Sequence, residues 1–306
     1  MSFLRIFSLS SLAGGILCFS IYAFSQTNEK IEQAKKEAEI YAQRSLEYRK
    51  KPARKLTPEE EKAEALSKKA EALLAEAESA QDFDAVIELY KQASQIAPGY
   101  DKAWWGLAMA LWSKTNYMPK DTREGKAQAL KILEQAKQAC NKALEIDPMS
   151  PGANYWLSNI LLTEAGMGNW LKGAVVIPTI FKLTDKVAEV DPYYENGAVF
   201  RTYAVVLTTV PSWLSARFGF TPEIILPYLD KAIELFPYYF ANYNIRAGIL
   251  LKIGGEQNKQ KALQDMEFVL THNPDALPGH QAENRREQKQ ARKIWLSVTG
   301  KNFPEK

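Results

Sequence analysis

The sequence predicts an all-α protein, an α-solenoid of about five helix pairs closed at its C-terminal end by one further helix. A row of prolines, two rows of small or apolar residues and one absence predict it. A proline closes the second helix of each pair, at Pro98, Pro148, Pro192, Pro237 and Pro274. Small or apolar residues stand five positions before each proline (Ala93, Ala143, Val187, Ala232, Val269) and twelve before (Val86, Ala136, Ile180, Ile225, Ala262). Apolar residues elsewhere recur at helical spacing, and no segment alternates as a strand would.

The chain opens with a targeting segment over residues 1–25. Arg5 is the one charged residue before Glu29, and residues 6–24 form an apolar run. Ala23-Phe24-Ser25 puts small residues where a signal peptidase reads, so cleavage before Gln26 is one outcome. The other is an uncleaved membrane anchor, since the run is long enough to span a bilayer. The context of Cys18, preceded by Leu17, does not fit lipid modification.

Residues 26–56 read as a charged helical spacer. Ile31, Ala34, Ala38, Ala42 and Leu46 recur every three or four residues, a stripe poor in large side chains that suits a solvated helix or a weak coiled-coil seam. Pro52 ends it. Thr57-Pro58-Glu59-Glu60 then marks a helix start, with Thr57 as cap, Pro58 at the first helical position and Glu60 completing a capping box. The repeat domain runs over residues 57–298, and residues 299–306 form a tail.

Within that domain the phrase Asn141-Lys142-Ala143-Leu144-Glu145-Ile146-Asp147-Pro148 returns as Asp230-Lys231-Ala232-Ile233-Glu234-Leu235-Phe236-Pro237. After Pro98 come Trp104, Leu107, Ala108 and Leu111. These residues resemble the tetratricopeptide repeat, whose first helix carries Trp-x-x-Leu-Gly-x-x-Tyr. Small residues let paired helices approach, large ones fill the gaps, and proline stops the second helix so that the chain reverses. Successive prolines lie 50, 44, 45 and 37 residues apart, beyond the usual spacing of about 34. The extra residues fall near 114–125, 164–175 and 208–221. Of these, residues 170–178 are more apolar than a loop should be, which fits a buried insertion or a surface for a membrane or second subunit. A charged helix over residues 282–298 caps the last pair.

Composition excludes more than it assigns. Basic (39) and acidic (36) side chains nearly cancel, so a net charge of +3 gives no reason to expect a nucleic acid partner. His272 and His280 lie in polar surroundings without a Cys or second His at ligand spacing, so no metal is expected. No Gly-rich phosphate loop follows a strand, and Glu59-Glu60-Glu61 suits a helix start. The expectation is no catalytic residue and no cofactor. Past the leader only Cys140 remains; a disulfide-linked dimer through it is one form a homo-oligomer could take, though its helical position argues for burial.

Surface for binding is what the chain offers. In tetratricopeptide repeats the first helices line a concave face, and counting from the prolines the resemblance places Trp105, Met109 and Trp112 there, then Tyr155 and Asn159, Asn196 and Tyr203, and Asn244. Trp104 and Trp156 are expected to pack between repeats. Arg201 and Arg246 stand where Leu normally packs. Each either braces the repeat with a buried partner or holds a ligand carboxylate by a bidentate contact.

A narrower resemblance rests on Pro192-Tyr193-Tyr194-Glu195-Asn196-Gly197-Ala198-Val199-Phe200-Arg201, the turn at Val210-Pro211, the echo Pro237-Tyr238-Tyr239, and Pro274, Pro278, Glu283, Asn284 and Ala291 near the end. Over residues 67–298 the chain resembles the TatT component family associated with TRAP transporters. This implies an exported periplasmic protein that associates with a solute-binding protein and holds a small hydrophobic or carboxylate ligand. The alternative is a scaffold of the cell envelope that binds proteins and no small molecule.

Overall fold

A computed structural model describes residues 16–167, 170–209 and 221–304. The first fifteen residues of the expected leader, and most of the expected insertion at 208–221, lie outside them. Twelve α-helices and one 3-10 turn make up the described residues, which hold no strand: α1 (Ile16–Arg49), α2 (Pro58–Leu74), α3 (Asp82–Ile96), α4 (Asp101–Thr115), α5 (Arg123–Ile146), α6 (Pro151–Met167), α7 (Trp170–Val190), α8 (Tyr194–Thr209), α9 (Pro222–Leu235), α10 (Phe240–Ile253), α11 (Glu256–Thr271) and α12 (Gln281–Thr299). No helix among these residues is long and apolar enough to cross a membrane. The chain divides into two compact units. Residues 48–194 with 273–286 form the first, and 1–47 with 195–272 and 287–306 the second.

In the first unit α2/α3, α4/α5 and α6/α7 are packed pairs, and α4 also lies against both α2 and α6. The capping box forms as the sequence requires. Thr57 Oγ1 accepts the Glu60 N–H at 3.2 Å and Glu60 returns to the Thr57 N–H at 2.9 Å. Both rows of small or apolar residues that predicted the repeats are buried in both units, from Val86 and Ala93 to Ala262 and Val269. They are small or apolar because paired helices pack over them.

Glycine makes the closest crossing. A Cβ on Gly106 of α4 would stand 2.2 Å from the fully buried Tyr90 ring of α3. Gly106→Ala is therefore expected to destabilise the fold by about 2 kcal/mol, an overpacking penalty, and Tyr90→Leu in the same chain should recover part of it. A urea midpoint unchanged by Gly106→Ala would remove this contact from the account. Cys140 sits in the same core, and burial pushes its thiol well above the ordinary range. The native thiol is expected to resist alkylation until the protein is unfolded, which mass spectrometry would read directly. A disulfide dimer through Cys140 finds no accessible sulfur.

The residue two past Pro98 and the residue two past Pro148 each tie their pair to the pair before it. Tyr100 donates its hydroxyl to Glu64 of α2 at 2.8 Å, and Ser150 donates to Asp101 of α4 at 2.7 Å. One contact departs from a simple linear array. Residues 273–286 return to the α2–α3 turn, where the Ala282 N–H donates to the Ala75 carbonyl at 2.9 Å and Arg285 pairs with Glu76 and Glu78.

In the second unit α9 packs on α10 and α10 on α11, and α12 caps them as expected. Ala291 is buried with Phe240, Tyr243, Met266 and Val269, and Gln288 donates to the carbonyls of Val269 and His272. The spacer expectation needs correction here. The stripe Ala34, Ala38, Ala42 is buried rather than solvated. Tyr41 lies over the stacked rings of Phe200 and Tyr228 at 6.2 and 6.1 Å, and Tyr228 donates to Glu37 at 2.8 Å.

The apolar segment at 170–178, read as an insertion between helices, begins α7 instead. Its Val175 is 77% exposed.

Candidate functional site

The site residues named from the sequence fall into two groups, one in each unit. In the first unit, Trp105 and Trp112 lie on α4 and Tyr155 and Asn159 on the neighbouring α6, all half-buried. The Trp112 indole N–H donates to Thr163 Oγ1 at 2.8 Å, that hydroxyl donates to the Asn159 carbonyl at 2.8 Å, and the Asn159 amide donates to the Tyr155 carbonyl at 3.1 Å. Ring centroids step from Trp112 to Trp156 (5.3 Å), from Trp156 to Tyr155 (4.7 Å) and from Tyr155 to Tyr194 (5.8 Å), each pair tilted or edge-on. These are the favoured aromatic geometries, and they hold the rings in place without closing them off. Tyr194 was missed as a member of this row. Its position two past Pro192, where Tyr100 and Ser150 also reach back, was the available signal.

Trp105 has a packing role as well. A Cβ on Gly152 would lie 2.6 Å from its ring, so the indole fills the gap between α4 and α6. Met109 does not reach a binding surface: it is buried in the core with Leu107, Leu133 and Trp156. The small residues beside it, Gly106, Ala108 and Ala110, let neighbouring helices close over that side of α4. Trp104 packs against the core and donates its indole N–H to the Pro98 carbonyl at 2.9 Å.

In the second unit the expected surface residues are mostly inside. Tyr203 is 2% exposed, because α8 is enclosed nearly all round from Ala198 to Ala204. Asn244 is buried, its amide donating to the Glu287 carbonyl and carboxylate of the cap at 2.9 and 2.7 Å. Asn196 belongs to a turn of three left-handed residues, Glu195 (φ 45), Asn196 (φ 57) and Gly197 (φ 96). Two of these are not glycine, so the backbone carries a cost that its surroundings must offset.

Arg201 supplies that offset. It is 7% exposed. Nη1 donates to the Asn196 carbonyl at 2.8 Å and to Asn242 Oδ1 at 2.9 Å, and Nη2 to the Glu195 carbonyl at 2.7 Å and the Tyr239 hydroxyl at 3.3 Å. The guanidinium also stacks over the Tyr239 ring at 4.5 Å. The forked donor set points at the two carbonyls that a left-handed turn brings together. Arg246 is braced by acids: it forks onto Asp265 at 3.0 and 2.5 Å and reaches Asp230 at 2.7 Å.

The histidines are engaged locally. His272 stacks on Phe268 at 3.8 Å, and His280 Nδ1 lies 3.0 Å from Glu283. Among the described residues no group of three His, Cys, Asp or Glu side chains could hold a metal ion.

Helix pairs ended by proline, with small residues at their crossings, define a tetratricopeptide-type all-α repeat protein. A crystal structure of a thermophilic tetratricopeptide protein from Thermus thermophilus has this fold: it is 16% identical, matches 75% of this chain and 98% of its own, and superposes with a TM-score of 0.53. Neither a protein-family model nor a curated protein matches the chain.

Proposed function

We propose that this protein binds a protein partner, without catalysis, through the aromatic row on α4 and α6. The observation that carries the reading is the half-buried set Trp105, Trp112 and Tyr155 beside the Asn159 amide. Large rings already fixed by their neighbours lose little entropy on binding, and an adjacent amide can pair with a partner's backbone. A repeat fold whose neighbouring first helices present such a row side by side supports a scaffold more than an enclosed reaction site. A photo-crosslinking residue at position 155 is expected to give a discrete adduct with one partner, and the same residue at the exposed Lys131 of α5 should not. Equal or absent adducts at both positions would set the reading aside.

The finer reading is an exported protein of the periplasm, accessory to a TRAP-type transporter, whose partner is a solute-binding protein and which also holds a small hydrophobic or carboxylate ligand. The apolar run at residues 6–24 and the residues shared with the TatT component family support it. Sequencing the mature N-terminus tests export, with Gln26 first if the leader is cleaved. Native mass spectrometry of the purified protein tests the ligand: a mass equal to the bare chain favours the envelope scaffold instead.

A further inference from the structure

We propose that the face of α8 and α9 covered by α1 is an exchangeable helix-docking surface, and that its second occupant is α1 of another copy of this chain, giving a dimer by exchange. The surface is specific in its chemistry. Phe200 and Tyr228 stack at 4.7 Å and 11°, Tyr41 of α1 lies over both, Glu37 accepts the Tyr228 hydroxyl, and Glu39 pairs with Lys231 at 2.6 Å. Ala34, Ala38 and Ala42 bring α1 close, so its buried stripe is made of small side chains that add little apolar area beside the Tyr41 ring.

Three features favour exchange. The contacts join residues far apart in the chain, with Tyr228 lying 191 positions beyond Glu37, so α1 is not fixed by its immediate neighbours. The connection to α2 is short and almost wholly exposed over residues 50–57. Pro52 disfavours helix at and before its own position, which keeps that connection extended. An exchanged α1 would make the same contacts in the other copy, so the two states differ mainly in linker strain and chain entropy, and a short linker shifts the balance toward the dimer.

The ion pair gives a test in the full-length chain. Glu39→Lys places two lysines together when α1 folds back on its own copy, and Lys231→Glu puts a third glutamate beside Glu39 and Glu234, the two partners of Lys231. In a dimer formed by one chain of each kind, one exchanged helix meets an opposite charge at Lys231 and the other meets its charge complement at the substituted position. Mixing the two variants is expected to raise the dimer fraction about tenfold over either alone, since both exchanged helices regain an opposite charge. Native mass spectrometry should find one chain of each kind in the dimer, and the double variant in a single chain should behave as the natural sequence does. A mixture that stays monomeric, or dimers of random composition, would overturn the proposal. Hydrogen exchange on the unaltered chain stands independently of how the variants fold. Amides of residues 28–49 should exchange at least about tenfold faster than those of α9, and equal rates would show α1 to be an integral part of its unit.

Discussion

Arg246→Met is expected to destabilise the protein by about 4 kcal/mol at neutral pH, the largest effect of any single change considered, because it leaves the Asp265 carboxylate buried without its fork. The side chain of Asp265 is nearly inaccessible and Arg246 supplies two of its contacts. Burial pushes the Asp265 carboxyl up, and the guanidinium and its hydrogen bonds pull it down without fully reversing the shift. In the variant the downward pull is gone, so the folded value rises further. A carboxyl raised above its unfolded value of about 4 stabilises the fold fully below that value, and this contribution is lost as pH rises through the folded value. The penalty of Arg246→Met should therefore shrink as pH falls toward the carboxylate range. Urea midpoints at neutral and acidic pH read it. A penalty that is the same at both, or below about 1 kcal/mol, would mean that Asp265 finds other partners.

Arg201→Met should cost about 3 kcal/mol, for a different reason. No ion pair is needed to explain that loss: the carbonyls of Glu195 and Asn196 and the Asn242 amide oxygen lose a donor while remaining largely enclosed. The left-handed turn also loses what offsets its backbone cost. Arg201→Lys should recover less than half, since an ammonium cannot serve two carbonyls and stack on Tyr239 with one planar group. Circular dichroism and urea unfolding separate the two roles considered for this residue. Lost stability marks a brace, whereas intact folding with loss of a bound ligand would mark an anion-recognition residue.

What the sequence made legible follows from how local its signals are. Prolines ending helices, small residues at crossings and the Thr57–Glu60 box act over a few positions, so their pattern survives without knowledge of the rest of the chain. The Ala34–Ala38–Ala42 stripe was ambiguous because alanine at helical spacing suits a solvated helix as well as a docked one. Its partners, Phe200 and Tyr228, lie far along the chain. The same applies to Arg285, whose pairing with Glu76 and Glu78 no local pattern announces. At the turn before Ala198, Gly197 hinted at positive φ, but nothing marked Glu195 as sharing it. Of the residues expected from the sequence to bind, Trp105, Trp112, Tyr155 and Asn159 stay half-buried at a surface. Met109, Tyr203 and Asn244 do not, because the closeness of neighbouring helices and of the cap depends on packing several pairs at once.

The hydroxyls just past the prolines bear on how such a chain could be recombined. Tyr100 needs Glu64, Ser150 needs Asp101, and the Tyr239 hydroxyl receives Arg201, each from the repeat upstream. A block cut at its prolines and transplanted into a foreign array would thus arrive with its leading hydroxyl stranded. To be moved intact, it must bring along the upstream helix that answers it.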